Sequence, residues 1–351
     1  MPERCSEYFG KERALSLIMA ALTFGCAGEF SAAVTGMGTP ALAEAEPASA
    51  PAAADASDAL VTRTRVEVLK GKPTFINWKP SVAPRAVLLC LHELGMHAGR
   101  FEDLGQRMAR NGYDVYAMDL RGFGEWSSVK GHEGRMDLDN TMADVKEACT
   151  ALKESHPDMP VFLLGEAMGG ALALRAAETF PDLIQGTISA APGGEHYKTT
   201  HNYMTVCHRL ITGGPNKRFA YGKELIDNAT PKQELRDDLQ KDPSVRLDLA
   251  PRELMACQFF MYKTRNMARR ITKTPVLIVQ GQQDGESKPE GATKVYDRLG
   301  TKDKQMLSVS DGDHYVYEDK KVSDKTFTDT LSWLNSHLPG ASPASQTKKE
   351  S

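Results

Sequence analysis

From residue 62 onward, short β-branched or apolar runs alternate with amphipathic segments, a pattern that points to βαβ units wound around a mostly parallel sheet. The runs predict strands at 62–69, 73–78, 86–91, 114–119, 160–164, 185–190, 275–280 and 305–309. Helical spacing falls between them, at 100–111, 138–155, 168–179, 290–299 and 324–337. The order lapses once. Between Ala191 and about Ile271 lie roughly 80 residues of mixed helix and turn, too long for a plain loop in a compact domain. An inserted helical cap at about 192–271 is therefore expected, rich in apolar and aromatic residues such as Tyr203, Phe219, Tyr221 and Phe260. These either fill the cap's own core or face a cleft and hold an apolar ligand.

Composition narrows the partners. The 351 residues are 41% hydrophobic and 25% charged, which excludes disorder, collagen and a multi-span membrane protein. Lys plus Arg number 43 against 46 Asp plus Glu, a net charge of −3 with no basic run, so nucleic acid is not expected as a partner.

The N-terminus reads as an export signal, because Lys11 and Arg13 precede an apolar stretch at 14–27 that is too short to span a bilayer. Cleavage fits after Gly28, ending residues 1–28, or after Ala43, where Ala41-Leu42-Ala43 obeys the small-x-small rule. An uncleaved anchor and lipidation at Cys26 stay open. The expected destination is periplasmic or extracellular. Residues 44–58 form an Ala/Pro-rich linker, 59–340 the folded domain and 341–351 a disordered polar tail. Within the domain, Cys90, Cys149, Cys207 and Cys257 are too scattered for a zinc site, and neither metal nor cofactor is expected. Cys207 and Cys257 share the cap region, where an oxidising compartment would permit a disulfide.

The segment 162–170, FLLGEAMGG, runs a β-strand into a glycine-flanked turn and then a helix. That is the setting of a nucleophile elbow, GxSxG, with Ala167 where the nucleophile belongs. A methyl group has neither lone pair nor labile proton. Three further motifs follow the same logic: HELGMHAGRF at 92–101, DLRGFG at 119–124, and PVLIVQGQQD at 275–284 ahead of Gly312-Asp313-His314.

Together these motifs resemble the α/β-hydrolase superfamily, in the branch of monoacylglycerol lipases, lysophospholipases and serine aminopeptidase domains, over about residues 62–338. The resemblance implies a mostly parallel central sheet flanked by helices, with an inserted cap, and an ester-hydrolase site holding a small acyl ester or apolar ligand. Membrane contact would come through the leader or the lid. It assigns the catalytic triad to positions 167, 284 and 314, and the oxyanion hole to the backbone N–H groups of Leu94 and Met168. His92, Glu93 and Glu166 join the substrate-binding surroundings.

Chemistry gives the same positions their roles. His314 is the candidate general base, and Asp284 the group that fixes its tautomer; Glu286, Asp311 and Asp313 are alternative acids. Glu93 replaces the branch's usual glycine, and a carboxylate there either opposes a developing oxyanion or turns to solvent. Ser308 and Ser310 lie in the strand before His314 and have no elbow. Removing the serine from such a triad lowers kcat by about 10⁶. Three classes of function follow: a pseudo-hydrolase that binds an acyl or apolar ligand, an active serine esterase in which Ala167 is a substitution, and a structural or base-only role.

Overall fold

The computed structural model describes residues 61–131 and 134–340. The expected leader, the linker and the polar tail lie outside the described residues. An eight-stranded sheet is built from β1 (Val61–Val66), β2 (Phe75–Pro80), β3 (Ala86–Leu91), β4 (Tyr113–Met118), β5 (Val161–Glu166), β6 (Gly186–Ala190), β9 (Val276–Gly281) and β10 (Lys304–Val309). Their order is β1-β2-β4-β3-β5-β6-β9-β10. β2 alone runs against its neighbours, pairing antiparallel with both β1 and β4; every other pairing is parallel.

The unbroken apolar run of β3 follows from burial on both faces, as parallel sheets require. Val87, Leu89 and Leu91 join one core, with Val145 and Leu152 of α2 (Leu138–Ser155) and Leu172 of α3 (Met168–Thr179). Leu88 and Cys90 join the other, with Leu104 and Met108 of α1 (Glu102–Arg110) and Trp333 and Leu334 of α9 (Asp324–Ser336). Each such side chain contributes about 1.5–3 kcal/mol by leaving water. A third cluster packs Val295 of α8 (Pro289–Arg298) against Ile278. Caps fix the helix starts: Asp137 accepts from the Asn140 N–H, Ser323 accepts from the Thr326 N–H, and Pro289 opens α8.

The first expected strand is shorter in the structure. It stops at Val66, because a turn in which the Lys72 N–H donates to the Leu69 carbonyl takes up the following residues and moves β2 on to Phe75.

Between β6 and β9 the chain forms α4 (Thr199–Gly213), α5 (Gly222–Ala229), α6 (Gln233–Lys241) and α7 (Pro251–Met267). A two-stranded ladder of β7 (Phe219–Ala220) and β8 (Asp248–Leu249) ties them together. Phe260 and Met261 of α7 are buried in the same core as α3, so the insertion shares the main hydrophobic layer. Cys207 and Cys257, whose pairing the sequence left open, are free thiols; Cys257 is buried in that apolar layer.

Candidate active site

Parallel strands deliver their following loops to one edge of the sheet, where α/β folds place ligands. Glu93 follows β3, Ala167 follows β5, Asp284 follows β9 and His314 follows β10. Glu93, Ala167 and His314 border one cavity of about 120 Å³, with Leu94 and Met168 beside them.

Ala167 has φ 45° and ψ −107°, a left-handed conformation that costs a non-glycine residue of order 1–3 kcal/mol. Two close approaches hold it. A Cβ at Gly165 would overlap the Gly169 carbonyl, and a Cβ at Gly169 would overlap the Leu91 carbonyl. The glycines at these positions therefore let α3 start directly against β3 and β5. Met168 is the first residue of α3, so its N–H has no intrahelical acceptor.

His314 is buried and held at both ring nitrogens. Nδ1–H donates to Asp284 Oδ2 at 2.8 Å, and Nε2–H donates to Glu93 Oε1 at 3.1 Å. Both partner atoms are carboxyl oxygens, an arrangement that favours the protonated ring. Burial opposes that charge, but Asp284 and Glu93 outweigh it and hold the His314 pKa well above the usual histidine range. Asp284 is buried too, yet His314, the Ser287 N–H and the Gln280 amide keep its carboxyl below the ordinary value. Of the other acids considered, Glu286 lies 3.1 Å from His196 Nδ1, and Asp313 accepts from the Thr230 hydroxyl and the Tyr315 N–H.

His92 and Glu166 do not border the cavity, and both expectations of a substrate-binding role are corrected. His92 is fully buried; Nδ1–H donates to the Glu93 carbonyl at 2.7 Å and Nε2 accepts from the Leu120 N–H at 2.9 Å. Burial lowers its pKa to about 4, which keeps Nε2 an acceptor. Glu166 turns away from the cavity, because its carboxylate accepts from the Val316, Tyr317 and Glu318 N–H groups. It fastens the elbow to the loop after His314. Burial raises its pKa to about 8.

Sequence reasoning missed Glu318, whose Oε1 accepts from the Glu93 N–H at 2.6 Å. Burial, then Glu166 and Glu93, push its pKa well above the carboxylate range. It also missed His196 on the cavity wall. Neither residue sits in a recognisable motif, so no local signal could have found them.

The chain's relatives agree with this frame. The family described as serine aminopeptidase, S33, matches residues 82–321. A monoacylglycerol lipase of Mycolicibacterium smegmatis is 24% identical over 268 residues, covering 74% of this chain and 92% of that protein. A monoglyceride lipase of Rattus norvegicus is 25% identical over 74% of this chain and 86% of its own length. Among solved structures, a soluble variant of Saccharomyces cerevisiae monoglyceride lipase, bound to a substrate analog, superposes with a TM-score of 0.65. It is 22% identical and covers 82% of this chain and 98% of that one. The shared fold is the mostly parallel α/β-hydrolase architecture.

Proposed function

The chain belongs to the serine aminopeptidase, S33, family, and from that premise we propose that it is an exported pseudo-hydrolase that binds an acyl or apolar ligand in the cavity beneath its inserted helices. The observation that carries this reading is the pairing of Glu93 with His314 Nε2 beside a methyl side chain at the elbow. In a serine hydrolase Nε2 takes the proton of the nucleophile; here it donates to a carboxylate, and position 167 has no proton to give. The apolar wall formed by Val206, Leu225, Leu254 and Met261 supports an apolar ligand. Names of the relatives suggest acylglycerols as its parent chemistry.

Exposed Met204 and Ile211 on α4 support contact between the lid and a lipid surface. The leader supports export, and N-terminal sequencing of the mature protein should begin after Gly28 or Ala43.

The test is labelling of the full-length protein with a fluorophosphonate probe, alongside titration with 1-monoacylglycerols. No adduct and saturable binding are expected. Stoichiometric labelling of the unaltered chain would overturn the reading.

A further inference from the structure

Four residues that line the same cavity carry a buried polar atom with no hydrogen-bond partner among the described residues: His196 Nδ1, which has Glu286 Oε1 at 3.1 Å as an ion-pair neighbour, and Glu93 Oε2, Asn202 Oδ1 and Tyr221 Oη. Tyr221 is only 3% exposed. Buried polar groups are normally satisfied, and an orphaned carboxylate oxygen is the costliest kind to leave alone. Glu93 Oε2 and Asn202 Oδ1 can only accept, and Tyr221 can accept as well as donate. What completes them must bring hydrogen-bond donors. The charges facing the cavity sharpen the requirement. Glu93 and Glu286 supply carboxylates on the wall, Asp284 adds one directly behind the His314 ring, and His314 and His196 supply rings paired to them. Even with both rings protonated, these carboxylates outnumber the cations by one, and the rest of the wall is largely apolar.

We propose that the cavity takes an amphiphile with a primary ammonium head, seated against Glu93, Asn202 and Tyr221, and an alkyl chain lying along Val206, Leu225, Leu254 and Met261. An ammonium group offers three donors and one positive charge, whereas a carboxylate head offers acceptors and a second negative charge. A neutral alcohol supplies one donor and leaves the charge uncompensated. The inference rests on the ligand-binding reading of the cavity and adds the chemistry of the head group.

The experiment is calorimetric titration of the full-length protein with octylamine, octanoate and 1-octanol. A charge-assisted hydrogen bond in a desolvated site predicts octylamine binding at least about tenfold tighter than either of the others. Glu93→Gln keeps the shape and removes the charge, and should weaken octylamine by about tenfold. If that variant does not fold, Asn202→Ala on half-buried α4 serves instead and should weaken octylamine selectively. Octanol or octanoate binding as tightly as octylamine overturns the ammonium head but leaves the ligand-binding reading standing. Failure of all three to bind overturns both.

Discussion

Glu93 Oε1 stands 3.1 Å from His314 Nε2, so a residue of the loop after β3 occupies the ring nitrogen left over by Asp284. A carboxyl group there favours the protonated ring and competes for the nitrogen that a general base would use.

Placing a hydroxyl at the elbow is therefore expected to be insufficient by itself. Ala167→Ser should leave hydrolysis of short p-nitrophenyl esters near background, and Ala167→Ser with Glu93→Gly should exceed the single variant by at least about 10²-fold, a modest share of what an intact triad supplies. Equal rates for the two variants would remove Glu93 as the obstacle.

Stability should fall as the solution becomes alkaline. The folded-state pKa values of His314, Glu166 and Glu318 are all raised, so the folded protein holds protons that the unfolded chain releases. The stabilisation from Glu166 is complete below the ordinary carboxylate range and is lost as pH rises toward its folded value of about 8. That from His314 is complete below the usual histidine range and disappears at still higher pH. His92 has the opposite sign: its pKa is lowered to about 4, so its contribution is lost as pH falls from the usual histidine value toward 4. Thermal melts should give a lower Tm at pH 9 than at pH 6. Each kcal/mol lost lowers Tm by about 2–4 °C in a large domain. Glu166→Gln should flatten the alkaline side of the profile.

Gly169→Ala should destabilise the fold by about 1–3 kcal/mol or more, because its Cβ would strike backbone rather than a movable side chain. Urea denaturation measures the loss. An unchanged midpoint would mean that α3 can retreat from β3 at no cost.

Trp333→Ala should cost about 3–5 kcal/mol. The indole is 4% exposed and meets Phe162 edge-on, with ring centroids 6.4 Å apart, so its removal opens a cavity between α9 and the sheet. Near-UV circular dichroism and a denaturant melt would register that change together.

Local periodicity carried the fold well. The expected 86–91 strand and the 138–155 and 168–179 helices match the observed bounds, since 86–91 and most of 168–179 are buried and 138–155 packs one apolar face, so the apolar spacing has no competing signal. The insertion was legible as a lapse in alternation, but its four helices and short ladder were not, because their ends are set by contacts between distant segments. Motifs located positions 284 and 314, and the structure brings them within one hydrogen bond. The direction of Glu93 could not be read, because it depends on a partner far along the chain. Glu166 illustrates the same limit: adjacency to the elbow suggested the ligand side, whereas three amides of a remote loop draw it inward.

The connections that keep the β5–α3 junction closed bypass the side chain at 167. Its N–H donates to the Ala190 carbonyl and its own carbonyl accepts from Ala171, both at 2.9 Å, while Glu166 carries the link to the neighbouring loop. Reactivity and architecture are thus separable at this corner of the molecule. A lineage could trade one small residue for another there without unsettling the scaffold, which leaves the fold free to outlive its chemistry.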